Sequence, residues 1–102
     1  MPYQIPFDEL DWESTSPGHR YKKYVQDGRR IRLMEVTPEF VEDDWCKRGH
    51  IGYVLDGVLE LEFENEILIF HDGDGIFIPS GHRHKARALT PIVRMIMVDE
   101  AP

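Results

Sequence analysis

Residues 58–64 alternate strictly, with Leu59, Leu61 and Phe63 at one parity and Glu60, Glu62 and Glu64 at the other. Successive side chains of a strand point to opposite faces, so a period of two predicts a strand with one buried and one wet face. Shorter runs of similar character fill most of the chain. Residues 21–25 and 29–36 are strand-like, and the Asp27-Gly28 pair between them is a strong hairpin signal. Residues 50–55 form an apolar run closed by a second tight-turn pair, Asp56-Gly57. Residues 67–70, 76–78, 84–89 and 92–98 complete the set, divided by Asp72-Gly73-Asp74-Gly75, by Pro79 and by Thr90-Pro91.

No long amphipathic helix is predicted anywhere. Residues 8–12 have room for a single helical turn. The stretch up to about Gly18 carries Pro2, Pro6 and Pro17 and reads as an arm holding one short strand or turn. Eight or nine short strands punctuated by Gly, Pro and Asp predict an all-β sandwich or barrel. Closure into a barrel would remove the sheet edges that invite aggregation. The 102 residues are expected to form one domain, with residues 1–20 as the arm and 21–98 as the barrel. A chain this short buries a modest fraction of its surface, so closure or self-pairing is expected to support it.

Composition narrows the function. Charged residues make up 30% and hydrophobic ones 41%, a globular balance. Nineteen acidic against 12 basic residues give a net charge of -7. Such a surface repels phosphate backbones and anionic lipid, which disfavours nucleic-acid and membrane-surface roles. The single cysteine, Cys46, cannot form an internal disulfide and fits a reducing compartment. The first ten residues carry no apolar run of signal-peptide length, and no later run reaches membrane-span length. A soluble cytoplasmic protein is expected.

Two segments stand out for chemistry. In the later one, Gly73 is followed by five residues, Pro79, one residue, Gly81, two residues and His84. Gly73 and Gly75 permit a tight turn, while Pro79 and Gly81 bend the chain just before His84. The earlier one runs Asp43-Asp44-Trp45-Cys46-Lys47-Arg48-Gly49-His50, then Gly52-Tyr53-Val54-Leu55-Asp56-Gly57. The later segment resembles the second motif of the cupin superfamily up to its metal-binding histidine, here His84. The asparagine usual further on is replaced by Ala88. The earlier segment resembles the first cupin motif through its Gly-Tyr-Val-Leu-Asp-Gly strand and turn. It is also similar to a cupin subgroup marked by Asp-His-Trp-Cys and Lys-Gly-His, with Asp44 standing where that subgroup has histidine.

The resemblance implies an all-β cupin-type β-barrel (a double-stranded β-helix or jelly roll). It implies ligand positions at Asp44, Cys46 and His50 in the first motif and His84 in the second. A carboxylate, a thiol and two imidazoles are legitimate ligands for zinc, iron, nickel or copper, and a thiolate favours such metals over magnesium or calcium. Asp44 and Cys46 share parity and would face the same way in an extended strand; His82 is a spare candidate beside His84. Resemblance to small cupins further implies a homodimer through swapped or paired N-terminal strands.

The simpler readings stand beside these. Taken singly, a cysteine is more often packing than a ligand. Glu39, Glu42, Asp43 and Asp44 read most simply as an acidic loop, with a second cation site as the alternative. Arg29, Arg30 and Arg32 read as a surface strand, although one pointing inward could hold an anionic substrate. Trp45, Tyr53, Phe77, Met95 and Met97 are expected in the core, or against an apolar ligand. The leading expectation is a metal-binding cupin of small-molecule metabolism holding one divalent ion, reaction type open. The alternative is a non-catalytic module that binds or senses a sugar or other metabolite in the same cavity. A third reading, a filled barrel acting only as an interaction partner, predicts no ligand-sized cavity.

Overall fold

In the computed structural model of the protein, which describes residues 3–100, the Asp27-Gly28 pair makes the hairpin turn its sequence predicts. Both residues have positive φ, 53° and 72°, as a tight turn matched to strand twist requires. Met1 and Pro2 of the expected arm, with Ala101 and Pro102 at the other end, lie outside the described residues. A 3-10 turn at Phe7–Glu9 overlaps the expected helical turn. It is followed by β1 (Glu13–Ser16), β2 (His19–Gln26), β3 (Arg29–Val36), β4 (His50–Asp56) and β5 (Val58–Phe63). Then come β6 (Ile67–His71), β7 (Gly75–Ile78), β8 (His84–Ala88) and β9 (Val93–Glu100). The strand expected in the arm is therefore present as β1, paired with β2. Among the described residues, no helix is long and apolar enough to cross a membrane.

The strands form two antiparallel sheets and not one closed ladder. The larger runs β1-β2-β3-β9-β4-β7 and the smaller β6-β5-β8. This is the jelly-roll form of the expected fold, without the continuous closure of a barrel. The chain crosses between the sheets four times, from β4 to β5, β6 to β7, β7 to β8 and β8 to β9. Asp56-Gly57 and Asp72–Gly75 each carry the chain from one sheet to the other, where the sequence suggested ordinary tight turns. Gly57 has φ 93°, and a Cβ there would lie 2.4 Å from the carbonyl oxygen of Ile92, so only glycine fits this corner.

The inner faces hold the core. Leu59 and Leu61 of the alternating strand are buried, and Phe63 packs half-buried against the same cluster. On β9 the buried parity is Val93, Met95, Met97 and then Asp99, so a carboxylate continues a row of core positions. Met34 and Val36 on β3, and Ile76 and Ile78 on β7, pack into the same core. Met95 and Met97 are thus core residues as expected. Tyr53 and Phe77 are exposed instead, because they take the parity opposite to Val54, Ile76 and Ile78 on their own strands. Trp45 is half-buried under the Lys85 ammonium, 4.9 Å from its ring centre.

The outer face of the larger sheet carries its own polar cluster. Glu35 is buried there and accepts hydrogen bonds from Arg20 Nε at 2.7 Å and Arg94 Nε at 2.9 Å. The Arg20 guanidinium lies 3.9 Å above the Trp12 ring.

Candidate metal centre

Register brings the first half of the site together. Asp99 on β9 is the cross-strand partner of Arg30 on β3. On the other side β9 pairs with β4, where Ile51 faces Val98, so His50 lies next to Asp99. Gly52 makes that pairing close: a Cβ there would sit 2.4 Å from both the Ile96 carbonyl oxygen and the Met97 sulfur. The Arg30 guanidinium grips Asp99 with two bonds, Nε to Oδ1 at 2.9 Å and Nη2 to Oδ2 at 2.8 Å. Arg32 Nη2 lies 3.3 Å, His50 Nδ1 3.4 Å and Arg48 Nη1 3.7 Å from the same Oδ2.

The smaller sheet supplies the second half. Gly81 has φ 89° and donates its N–H to the Lys47 carbonyl at 2.9 Å, closing the bend that leads into β8. His84 opens β8 opposite Phe63 and is 4% exposed. Cys46 lies on the loop before β4 and pairs with His84 through two backbone bonds of 2.9 and 3.0 Å. Cys46, His50 and His84 therefore converge, and each offers a ligand atom within 4.8 Å of the other two.

One ring is held by a hydrogen bond through Nδ1, and the other turns its Nδ1 to a carboxylate 3.4 Å away without a hydrogen bond. His84 Nδ1 stands 2.9 Å from the His82 carbonyl oxygen, an acceptor, so the neutral ring carries its proton on Nδ1 and leaves the Nε2 lone pair free. His50 Nδ1 faces the Asp99 carboxylate. Histidines oriented by a carbonyl and a carboxylate are a usual preparation for metal ligation. His82 itself is exposed and contributes its carbonyl, not its ring.

Asp44 is exposed and lies outside this group. Residues 42–45 are not a strand and the chain bends at Asp44, so Asp44 does not share a face with Cys46 as an extended strand would require. The carboxylate that turns in is Glu42. Its Oε1 accepts the Ala86 N–H at 2.8 Å, and its side chain lines the same cavity as Cys46, His50 and His84. Glu39 and Asp43 stay exposed, so only one member of the acidic loop reaches the site. No spacing rule singles out Glu42; its one signal in the sequence is membership of the acidic loop beside the first motif.

The electrostatics fit a charged centre. Hydrogen bonds from His50 and His84 draw the Cys46 thiol down to about 5, against a smaller upward pull from burial. Burial works to lower the His84 pKa, but the hydrogen bond to Cys46, the His82 carbonyl and the charges of Cys46 and Glu42 together raise it. Burial raises the Glu42 pKa, with the Ala86 N–H opposing. Burial likewise works to raise Asp99, and the Arg30 hydrogen bond with the charges of Arg32, Arg30 and His50 overcomes it, leaving Asp99 below its ordinary value. A thiolate and two imidazoles suit a soft or borderline dication. Ligand atoms on a tetrahedral zinc stand roughly 3.5 Å apart, so small side-chain rotations close the three atoms onto one ion.

The three residues open on a cavity of about 160 Å³. Apolar side chains of both sheets, among them Leu59, Leu61, Met95 and Met97, form much of its wall. A filled interior is thereby excluded.

The Cupin_2 family profile, described as cupin domain, matches residues 32–99. The chain belongs to the cupin family. Solved cupin-fold structures resemble it over nearly its whole length. KdgF from Halomonas sp. is 26% identical, with a TM-score of 0.76 over 93% of this chain and 92% of that one. The Fe(II) form of HppE is 18% identical, with a TM-score of 0.79 over 97% of this chain and 60% of its own. A sugar phosphate isomerase from Silicibacter pomeroyi is 14% identical, with a TM-score of 0.77 over 97% of this chain and 76% of its own. No curated protein sequence matches the chain.

Proposed function

We propose that this cupin binds one divalent ion, zinc, iron or nickel, through Cys46, His50 and His84, and uses it on a small molecule held in the cavity. Glu42 is the fourth candidate ligand, in the role the sequence offered to Asp44. One observation carries the reading: a thiol and two imidazoles from separate segments converge within 4.8 Å beside a cavity. A bound ion of this kind supplies Lewis acidity or activates water or oxygen. The protein's own part is to hold His84 by Nδ1, to place His50 beside the Asp99 carboxylate, to favour the Cys46 thiolate and to surround the site with apolar wall. The likeness to HppE, solved with Fe(II), and to an isomerase supports a metabolic role without choosing the reaction. The reading includes a reducing compartment, the cytoplasm, which keeps the single Cys46 free to ligate. It also includes a homodimer paired through β1, whose outer edge meets no other strand among the described residues.

Elemental analysis of gently purified protein, beside His84→Ala and Cys46→Ser, tests the proposal. Near-stoichiometric metal in the wild type, lost in both variants, is expected. A metal-free wild type that also takes up no added zinc, iron or nickel contradicts it and leaves a cupin that binds metabolites without metal. Sedimentation equilibrium at twice the chain mass is expected for the dimer, and a monomer contradicts that part.

A further inference from the structure

Three side chains that line the cavity carry a buried nitrogen with no hydrogen-bond partner: Arg32 Nε, His19 Nδ1 and His50 Nδ1, the last 3.4 Å from the Asp99 carboxylate. Arg32 is not loosely placed. Its side chain is 11% exposed, its Nη2 is engaged by Asp99 at 3.3 Å, and its guanidinium lies 5.4 Å from the Tyr21 ring centre. The His19 ring is held in turn between Phe40, at 4.9 Å, and Tyr21, at 5.8 Å. Two firmly placed polar side chains, each with a buried nitrogen left unpaired, therefore border a space shared with Cys46, His50 and His84.

Charge points the same way. Three guanidiniums, those of Arg30, Arg32 and Arg48, converge on the single carboxylate of Asp99. Arg30 takes both Asp99 oxygens, so Arg32 is compensated only in part. Burial depresses the Arg32 pKa, and the charges of Arg30 and Arg48 add to the effect against the pull of Asp99. His19 is depressed by burial and then by the Arg32 charge. A buried guanidinium with a free N–H beside an imidazole is a ready anion receptor. The size of the space limits the anion: a cavity of about 150 Å³ admits benzene, so about 160 Å³ holds roughly six non-hydrogen atoms.

We propose that the cavity binds a small organic carboxylate of roughly six non-hydrogen atoms, whose oxygens accept hydrogen bonds from Arg32 Nε and His19 Nδ1. Its compact apolar body lies against Met34, Val36, Leu61 and Met97, which line the same wall. This deepens the metal-site reading by giving the substrate class of that site, and it rests on the cavity being the substrate chamber. The apolar lining favours a carboxylate that carries an apolar body over inorganic phosphate, which carries none.

The Arg32 Nε–H resonance of the full chain reads the site directly, without a variant. Pyruvate, its uncharged counterpart pyruvamide, and inorganic phosphate are titrated into metal-free and zinc-loaded protein. Pyruvate is expected to shift the Arg32 Nε–H and the His19 ring signals saturably. Pyruvamide, and pyruvate with Arg32→Gln or His19→Gln, are expected to bind about tenfold more weakly, the loss of one charge-assisted hydrogen bond. Phosphate binding as tightly as pyruvate overturns the carboxylate assignment. Signals unmoved by any of the three, or moved equally by pyruvamide, overturn the anion site itself. The two readings fail separately. Zinc loading without any anion response removes this inference and leaves the metal site. A pyruvate response in protein that takes up no metal removes the metal site and leaves the anion receptor.

Discussion

Glu35 and Asp99 are both buried carboxylates on the larger sheet, 6% and 9% exposed, and both are gripped by arginines. They do opposite work. Glu35 lies on the outer face and gives one oxygen to each of Arg20 and Arg94, whose side chains remain 50% and 47% exposed. Those guanidiniums keep much of their hydration, so the cluster is satisfied and its excess charge is carried by water. Asp99 lies on the inner face, where the Arg30 and Arg32 side chains are only 11% exposed. There water cannot finish what one carboxylate leaves undone, and Arg32, which lines the cavity, keeps a buried Nε without a partner. The two arrangements differ by parity alone on β3, where Arg30 and Arg32 point inward and Glu35 points out. A satisfied ion cluster holds the sheet together; an unsatisfied one beside a cavity prepares a ligand site.

The largest effect should come from Asp99. Replacing it by Asn leaves two buried guanidiniums and the His50 ring without their anion, and about 3–5 kcal/mol of stability is expected to be lost in urea unfolding. The same variant should weaken zinc binding about 10–100-fold, since His50 loses the group that faces its Nδ1. Glu35→Gln is expected to cost less, about 1–3 kcal/mol, because Arg20 and Arg94 can turn to solvent. Equal losses for the two variants would break the contrast between the faces.

Acidification sharpens the same contrast. His19 has a folded pKa below that of the unfolded chain, so between the two values the unfolded state binds a proton that the folded state refuses. Its contribution is present above the unfolded value and is lost as pH falls toward the folded one. Asp99, also depressed, adds a further loss at lower pH, as pH falls from the unfolded value through the folded one. Thermal unfolding of metal-free protein is expected to show a shallower decline below neutrality in His19→Gln than in the wild type. An unchanged slope would mean that His19 is not held neutral. The smallest effect is expected for Arg94→Ala, within about 1 kcal/mol and weaker at high salt, as for other half-exposed pairs.

Local signals were the readable ones. The Asp27-Gly28 hairpin and the alternation of Leu59 and Leu61 depend on neighbouring residues, and the structure has them as expected. The allocation of strands to two sheets depends on corners such as Gly57, which packs on Ile92 from a distant part of the chain, and no local pattern announces that. The site divides the same way. Cys46, His50 and His84 stand out because motif spacing marks them, and the fold brings them together. Motif position marks Asp44 as well, but the chain bends there and leaves it exposed, while the Glu42 carboxylate accepts the backbone N–H of Ala86, far away in sequence. Tyr53 and Phe77 read as core from composition, but their parity places them outside. Arg32 read as surface because arginines usually are; its inward direction follows from sharing a face with Met34 and Val36.

The most direct test is X-ray absorption at the zinc edge of the zinc-loaded protein. One sulfur at about 2.3 Å together with imidazole nitrogens at about 2.0–2.1 Å is the predicted shell, with the sulfur lost in Cys46→Ser. A shell of oxygen or nitrogen alone, unchanged by that substitution, would place the ion elsewhere and contradict the Cys46, His50 and His84 centre.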